Sequence, residues 1–172
     1  MNYINNRKII FDVEKGVAMI AIILCHLRQS FPDLTNTLSF LSYGQFGSQV
    51  LFVVAGFFAA NSFSKLIEEN NFKSASIEFY KKRLKSIAPA WYFMMIVIFV
   101  LNSLSYKFIG KSIGFSGNRS FLGILVNVLF LNGIFPKTGY DVMPGGWFIG
   151  TIMIFYLFTP LLFNVFSSLS LS

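Results

Sequence analysis

The 172-residue chain is 55% hydrophobic, only 12% charged and contains 22 Phe, and it holds two uncharged stretches of 31 residues each. A water-soluble domain of that make-up would expose a greasy surface, so the chain reads as an integral membrane protein with lipid as its solvent. The net charge of +7 does not redirect it to nucleic acid, because its basic residues lie where membrane topology places them and no nucleic-acid-binding motif accompanies them.

Spans are expected where charge is missing over about 20 residues, the length needed to cross ~30 Å of hydrocarbon. The first, Gly16 to about Phe31, is the weakest: its core GVAMIAIILCHL is short, and Arg28 stands near its end. Asp12, Glu14 and Lys15 abut it and no small-x-small site follows, so it reads as a retained helix, not as a signal peptide. It carries Cys25, the single cysteine, which excludes an internal disulfide framework and reads as a small apolar helix residue. The second span lies within Leu34–Ser64 and is densest at Val50–Ala60. The third is Ser86–Tyr106, opened by Pro89 and Trp91; the fourth is Phe121–Phe135; the fifth runs from about Trp147 to Phe166. Trp91 and Trp147 read as interfacial belt residues.

The fold expected is therefore all-α, a polytopic transmembrane helical bundle of about five spans forming one unit over residues 1–172. Cytoplasmic connections retain Lys and Arg. Arg7, Lys8, Lys15, Lys65, Lys73, Lys81, Lys82, Arg83, Lys85 and Lys137 would fall inside, against Arg28, Lys107, Lys111 and Arg119 outside, which favours a cytoplasmic N-terminus. The longest polar segment, KLIEENNFKSASIEFYKKRLK from Lys65 to Lys85, reads as an amphipathic helix or loop against the headgroups, with Glu68, Glu69 and Glu78 on its solvated face.

Chemistry has to come from the few ionisable groups held among apolar ones. His26 is the chain's one histidine, and an imidazole can accept and return a proton near neutral pH. It reads equally as a histidine near the outer interface beside Arg28. Lys15 precedes it by 11 positions, and 11 steps of 100° return a helix to within about 20° of the same face, ~16 Å further along. A cation at the cytoplasmic mouth and an imidazole deeper in suit a long ligand with an anionic end, and acyl-CoA has that shape; Lys15 alone would be an ordinary topological anchor.

Four ordered stretches, FDVEKGVAMIAIILCH at 11–26, FGSQVLFVVAGF at 46–57, FYKKRLKSIAPAWY at 79–92 and GGWFIGTIMIFYLFTPLL at 145–162, resemble the membrane acyltransferases of family 3 over nearly the whole chain. In that family a basic residue, ten residues and a histidine mark the first span, and Lys15 and His26 match the spacing. The resemblance implies an O-acyltransferase of the plasma (inner) membrane. It would transfer an acyl group, acetyl first among them, from acetyl-CoA or another acyl-CoA to a hydroxyl of a surface polysaccharide or glycolipid, without a metal. It further implies His26 as catalytic base and Lys15, Arg83, Lys82 and Lys85 as the residues that bind the donor.

The departures from the pattern are specific. The family's arginine pair before the proline appears as Arg83 and Ser86 with Lys85 adjacent, which loses bidentate geometry at one position. Ala55 stands where relatives often have Ser, and Ile152 where many have Glu, leaving spans two to five without a carboxylate. Members of the family carry roughly twice as many spans, so the chain reads as the N-terminal half of such a bundle, which would leave faces meant for protein against lipid. Two further readings stay open: an inactive truncated remnant of the family, and a non-enzymatic membrane component of polysaccharide export or transport.

Overall fold

The computed structural model describes residues 2–31, 33, 38–110, 120–140, 142–143 and 145–169; Lys111, Arg119 and the first residues of the second expected span lie outside these. Every regular element among the described residues is helical. In chain order they are α1 (Asn2–Ser30), a 3-10 helix (Ser39–Gln45), α2 (Phe46–Glu69), α3 (Phe72–Ile109), α4 (Phe121–Val128), a 3-10 turn (Leu131–Gly133), α5 (Pro136–Tyr140) and α6 (Trp147–Leu169). The chain forms two compact units, Met1–Phe58 and Ala59–Ser172, which are described separately.

Three helical stretches are long and apolar enough to cross a membrane: Ser39–Glu69, Phe72–Ile109 and Trp147–Ser167. Their outer faces carry what a bilayer would cover, with Val53 73%, Phe108 76% and Phe166 65% exposed. α1 is one unbroken helix, but its uncharged run between Lys15 and Arg28 is only 12 residues. That run measures about 18 Å, short of a bilayer's ~30 Å.

In the first unit, α1 and the segment after it meet along small residues. Ala18 and Cys25 are buried on α1. A Cβ on Gly44 would collide with the backbone oxygen of Ala21, and one on Gly47 would stand 2.5 Å from that of Ala18. The positions 18, 21 and 25 recur at helical spacing on one face, so two glycines and two alanines let the backbones approach closely. Farther back, Phe11 stacks on Phe57 with centroids 4.9 Å apart and meets Phe58 edge-on at 5.2 Å.

In the second unit, the polar segment Lys65–Lys85 is neither one helix nor a loop. It is the end of α2, a break at Asn70 and Asn71, and the first turns of α3. The break has a chemical cause: Asn71 caps α3, its side chain accepting from the Ser74 amide at 3.0 Å. The other end closes on Gly110, whose φ of 70° suits a residue without a Cβ and whose N–H reaches Tyr106 O. Phe63 and Phe79 are fully buried, their rings 5.6 Å apart, and Phe163 of α6 packs 5.3 Å from Phe63. α3 and α6 are also joined by the Tyr80 hydroxyl, which donates to Leu157 O at 2.8 Å.

The fourth expected span is a broken element. α4 ends after eight residues, about 12 Å of rise, and Phe130 takes a left-handed conformation with φ 58°. Leaving a helix there frees carbonyls that must find donors. Trp91 Nε1 donates to Asn127 O at 3.0 Å, the Tyr92 hydroxyl to Val128 O at 2.9 Å, and Asn127 Nδ2 to Gly123 O at 2.9 Å. The strained Phe130 is held by its ring, 6.0 Å from Trp91 and 5.7 Å from Tyr92. Trp91 is thus a core anchor, only 6% exposed, instead of the belt residue its position in the sequence implies. Trp147, at 42% exposure, keeps an open face.

The break seats on the start of α6. Gly146 and Gly150 lie one turn apart, and the Asn132 amide occupies the space their Cβ atoms would fill. Asn132 is 1% exposed; its Nδ2 approaches Asn127 Oδ1 at 3.4 Å, and its Oδ1 has no hydrogen-bond partner among the described residues.

Candidate active site

The sequence-predicted site residues fall into two sets, one in each unit. Lys15 and His26 share α1, and since that helix is unbroken from Asn2 to Ser30 the 11-residue spacing does place them along one face, about 16 Å apart. Lys15 is not an idle cation: its Nζ donates to Asp12 Oδ1 at 2.6 Å and lies 5.3 Å from the centre of the Phe58 ring. Both partners of the ion pair are open to the surroundings, so an incoming anion could replace the Asp12 carboxylate on Lys15 without uncovering a buried charge.

His26 is exposed, and its Nδ1 lies 3.1 Å from Gln29 Oε1, one turn further along α1. The Gln29 amide nitrogen in turn donates to Cys25 Sγ at 3.7 Å, and the buried Cys25 thiol donates to Ser42 O, also at 3.7 Å. The small-residue seam brings Ser42 this close to α1. Gln29 is absent from the sequence-predicted set, although a polar residue three positions after a lone histidine on a helix is a recognisable neighbour.

The second set lies on α3. Lys82 and Lys85 are exposed, and Lys82 pairs with Glu78 at 2.8 Å across one helical turn. Arg83 points elsewhere. Its guanidinium lies between the rings of Phe79 and Tyr156, 5.1 and 4.9 Å from their centres, so that it bridges α3 and α6. Arginine suits this position because its flat, weakly hydrated cation stacks on ring faces. Arg83→Ala should lower stability by about 1–2 kcal/mol, read as an earlier thermal unfolding in detergent, and Arg83→Lys should recover only part of that. An unchanged melt for Arg83→Ala would show that the two ring contacts carry no weight.

Ile152 is an apolar residue buried on α6 at 9% exposure. The polar residues that this part of the sequence does bury are Asn127 and Asn132, at 0% and 1%. Both were legible as the amides of the otherwise apolar stretch Phe121–Phe135.

Three helical stretches long and apolar enough to cross a bilayer mark a membrane protein, and Lys15 and His26 lie on one further helix. The family model described as an acyltransferase domain matches residues 9–172, and the chain belongs to that acyltransferase family, family 3. It is, at that level, a membrane acyltransferase. No curated protein matches the chain. No solved structure matches it either.

Proposed function

We propose that the chain performs O-acyl transfer from acyl-CoA, acetyl-CoA in the first instance, to a hydroxyl of a cell-surface polysaccharide or glycolipid. It would do so across the plasma (inner) membrane, with its N-terminus in the cytoplasm. The observation that carries this reading is the pairing of Lys15 and His26 on one unbroken helix of an acyltransferase-family chain. His26 takes the proton of the acceptor hydroxyl as the oxygen attacks the thioester carbonyl. The new ester forms, the carbon–sulfur bond breaks, and CoA leaves as the thiolate, which takes up a proton. No carboxylate is needed for the imidazole to accept that proton, so Ile152 is compatible with this step.

Lys15, Lys82 and Lys85 present cations without a buried ion pair to break, which suits phosphates that come and go. Arg83 is assigned to the same task through the charge its guanidinium keeps while stacked. The test uses membranes containing the chain, acetyl-CoA labelled in its acetyl group, and the glycan fraction as acceptor. Label should enter the glycan as an ester released by mild base. Lys15→Ala should raise KM for acetyl-CoA about tenfold with kcat little changed, the signature of a lost phosphate contact. Label that enters no hydroxyl acceptor, or a Lys15→Ala enzyme with unaltered KM, would count against the assignment.

A further inference from the structure

The hydrogen bonds around His26 have a forced direction. Ser42 O is a carbonyl and can only accept, so the Cys25 thiol, with its one proton, must donate to it. The sulfur is then left as an acceptor, and the end of the Gln29 amide that faces it at 3.7 Å must be the NH2 group. That choice turns Gln29 Oε1 toward His26, where it stands 3.1 Å from Nδ1. An amide oxygen can only accept, so the imidazole proton belongs on Nδ1 and the lone pair on Nε2. With the opposite amide orientation, Oε1 would compete with Ser42 O for the same thiol proton. Two acceptors would then share one donor.

We infer that Gln29 is a positioning residue that holds His26 as its Nδ1–H tautomer through the chain Ser42 O–Cys25–Gln29, leaving Nε2 as the proton-accepting atom. The inference rests on the base role given to His26 above and deepens it by naming the reacting nitrogen and what sets it. The frame behind it is rigid: Cys25 is 5% exposed, and the seam that brings Ser42 to it depends on Gly44 and Gly47, where a Cβ would meet α1 backbone. Gln29 thereby stands where other acid–base sites place a carboxylate behind the imidazole. A neutral amide orients the ring without adding a negative charge beside it.

His26 is the chain's one histidine, so histidine labelled with heavy nitrogen in the ring gives a single imidazole spectrum from the 172-residue chain in lipid or detergent. The wild-type chain should show a protonated Nδ1 and a bare Nε2. Gln29→Leu, which keeps the bulk and removes the acceptor, should shift the ring toward the Nε2–H form and lower kcat about tenfold with KM for acyl-CoA unchanged. Gln29→Glu retains an acceptor and should keep the wild-type nitrogen pattern, with kcat within about threefold. A residue that only supported the helix would affect the yield of folded protein and leave the nitrogen pattern alone.

A wild-type ring protonated on Nε2, or a Gln29→Leu ring identical to wild type, overturns the inference. The two levels separate cleanly. Transfer that persists in His26→Ala while the wild-type nitrogen pattern is as stated fails the base role. A reversed tautomer with transfer abolished in His26→Ala fails the role of Gln29 alone.

Discussion

Gly150→Ala is expected to destabilise the chain by on the order of 3 kcal/mol, at the upper end of ordinary overpacking. The added methyl would meet the Asn132 amide oxygen and the backbone nitrogen of Gly133, and the second of these cannot be moved by a side-chain rotation. Asn132 cannot swing away cheaply either: it is 1% exposed, and its amide is enclosed by Asn127, Gly146 and Gly150. The collision would therefore be relieved only by lifting the Leu131–Gly133 turn from the start of α6, which would disturb the cluster of Trp91, Phe130 and Met143 next to it. Trp91 emission in a Trp147→Phe background reports that cluster, and it should shift to the red at a lower temperature than in the parent. The matched control is Gly16→Ala. Gly16 lies inside α1 with nothing within 4 Å of its would-be Cβ, so there the same methyl should leave stability unchanged or raise it by about 0.5–1 kcal/mol. Equal melting of Gly150→Ala and wild type would mean that the break in the fourth stretch does not depend on this contact.

That break also shows where the sequence stops being informative. The spans of α2, α3 and α6 were legible because hydropathy over some 20 residues is a sum in which local irregularities average out. The interruption after Val128 was not, because it depends on long-range donors: Trp91 and Tyr92, 36 residues earlier, reach the carbonyls that the broken helix leaves open. No local pattern in FLGILVNVLFLNGIF announces them, and Trp91 itself reads as a belt residue until its partner is known. The split at Asn70 and Asn71 is the opposite case. Asn71 with Ser74 three places on is a local capping signal, but the mixed charges of the same segment read as one amphipathic helix or loop. Of the site, the Lys15–His26 pairing was legible because it lies within one helix and needs only the period of 100°. Arg83 was legible as a cation but not as a clamp, since Tyr156 is 73 positions away in sequence. The Ser42–Cys25–Gln29 chain lay half in view: Gln29 is one turn from His26, whereas Ser42 arrives through the tertiary packing of Gly44 and Gly47 on α1, which no local pattern announces.

His26→Ala should lower acyl transfer by about 10²–10⁴-fold, the range lost when a positioned general base is removed. In barrier terms that is roughly 3–5 kcal/mol at about 1.4 kcal/mol per tenfold. The loss can be assigned to chemistry because the substitution asks little of the fold. His26 is exposed on α1, its hydrogen bond to Gln29 stays within the same helix, and alanine is the residue a helix interior accepts most readily. Helix content and thermal unfolding of the variant should match wild type, which separates it from Gly150→Ala, where both fall together. KM for acyl-CoA should change little, since the phosphates are assigned to Lys15 and the α3 cations instead of the imidazole. Added imidazole should restore part of the rate, because the alanine leaves the space of a ring beside Gln29 and the missing group is a base that diffuses freely. Gln29→Leu in the same assay should fall between the two, short of a base in the right tautomer but not short of a base. Transfer by His26→Ala within a few-fold of wild type would remove the imidazole from the reaction, and with it the reason that the weakest apolar stretch of the chain carries the only histidine.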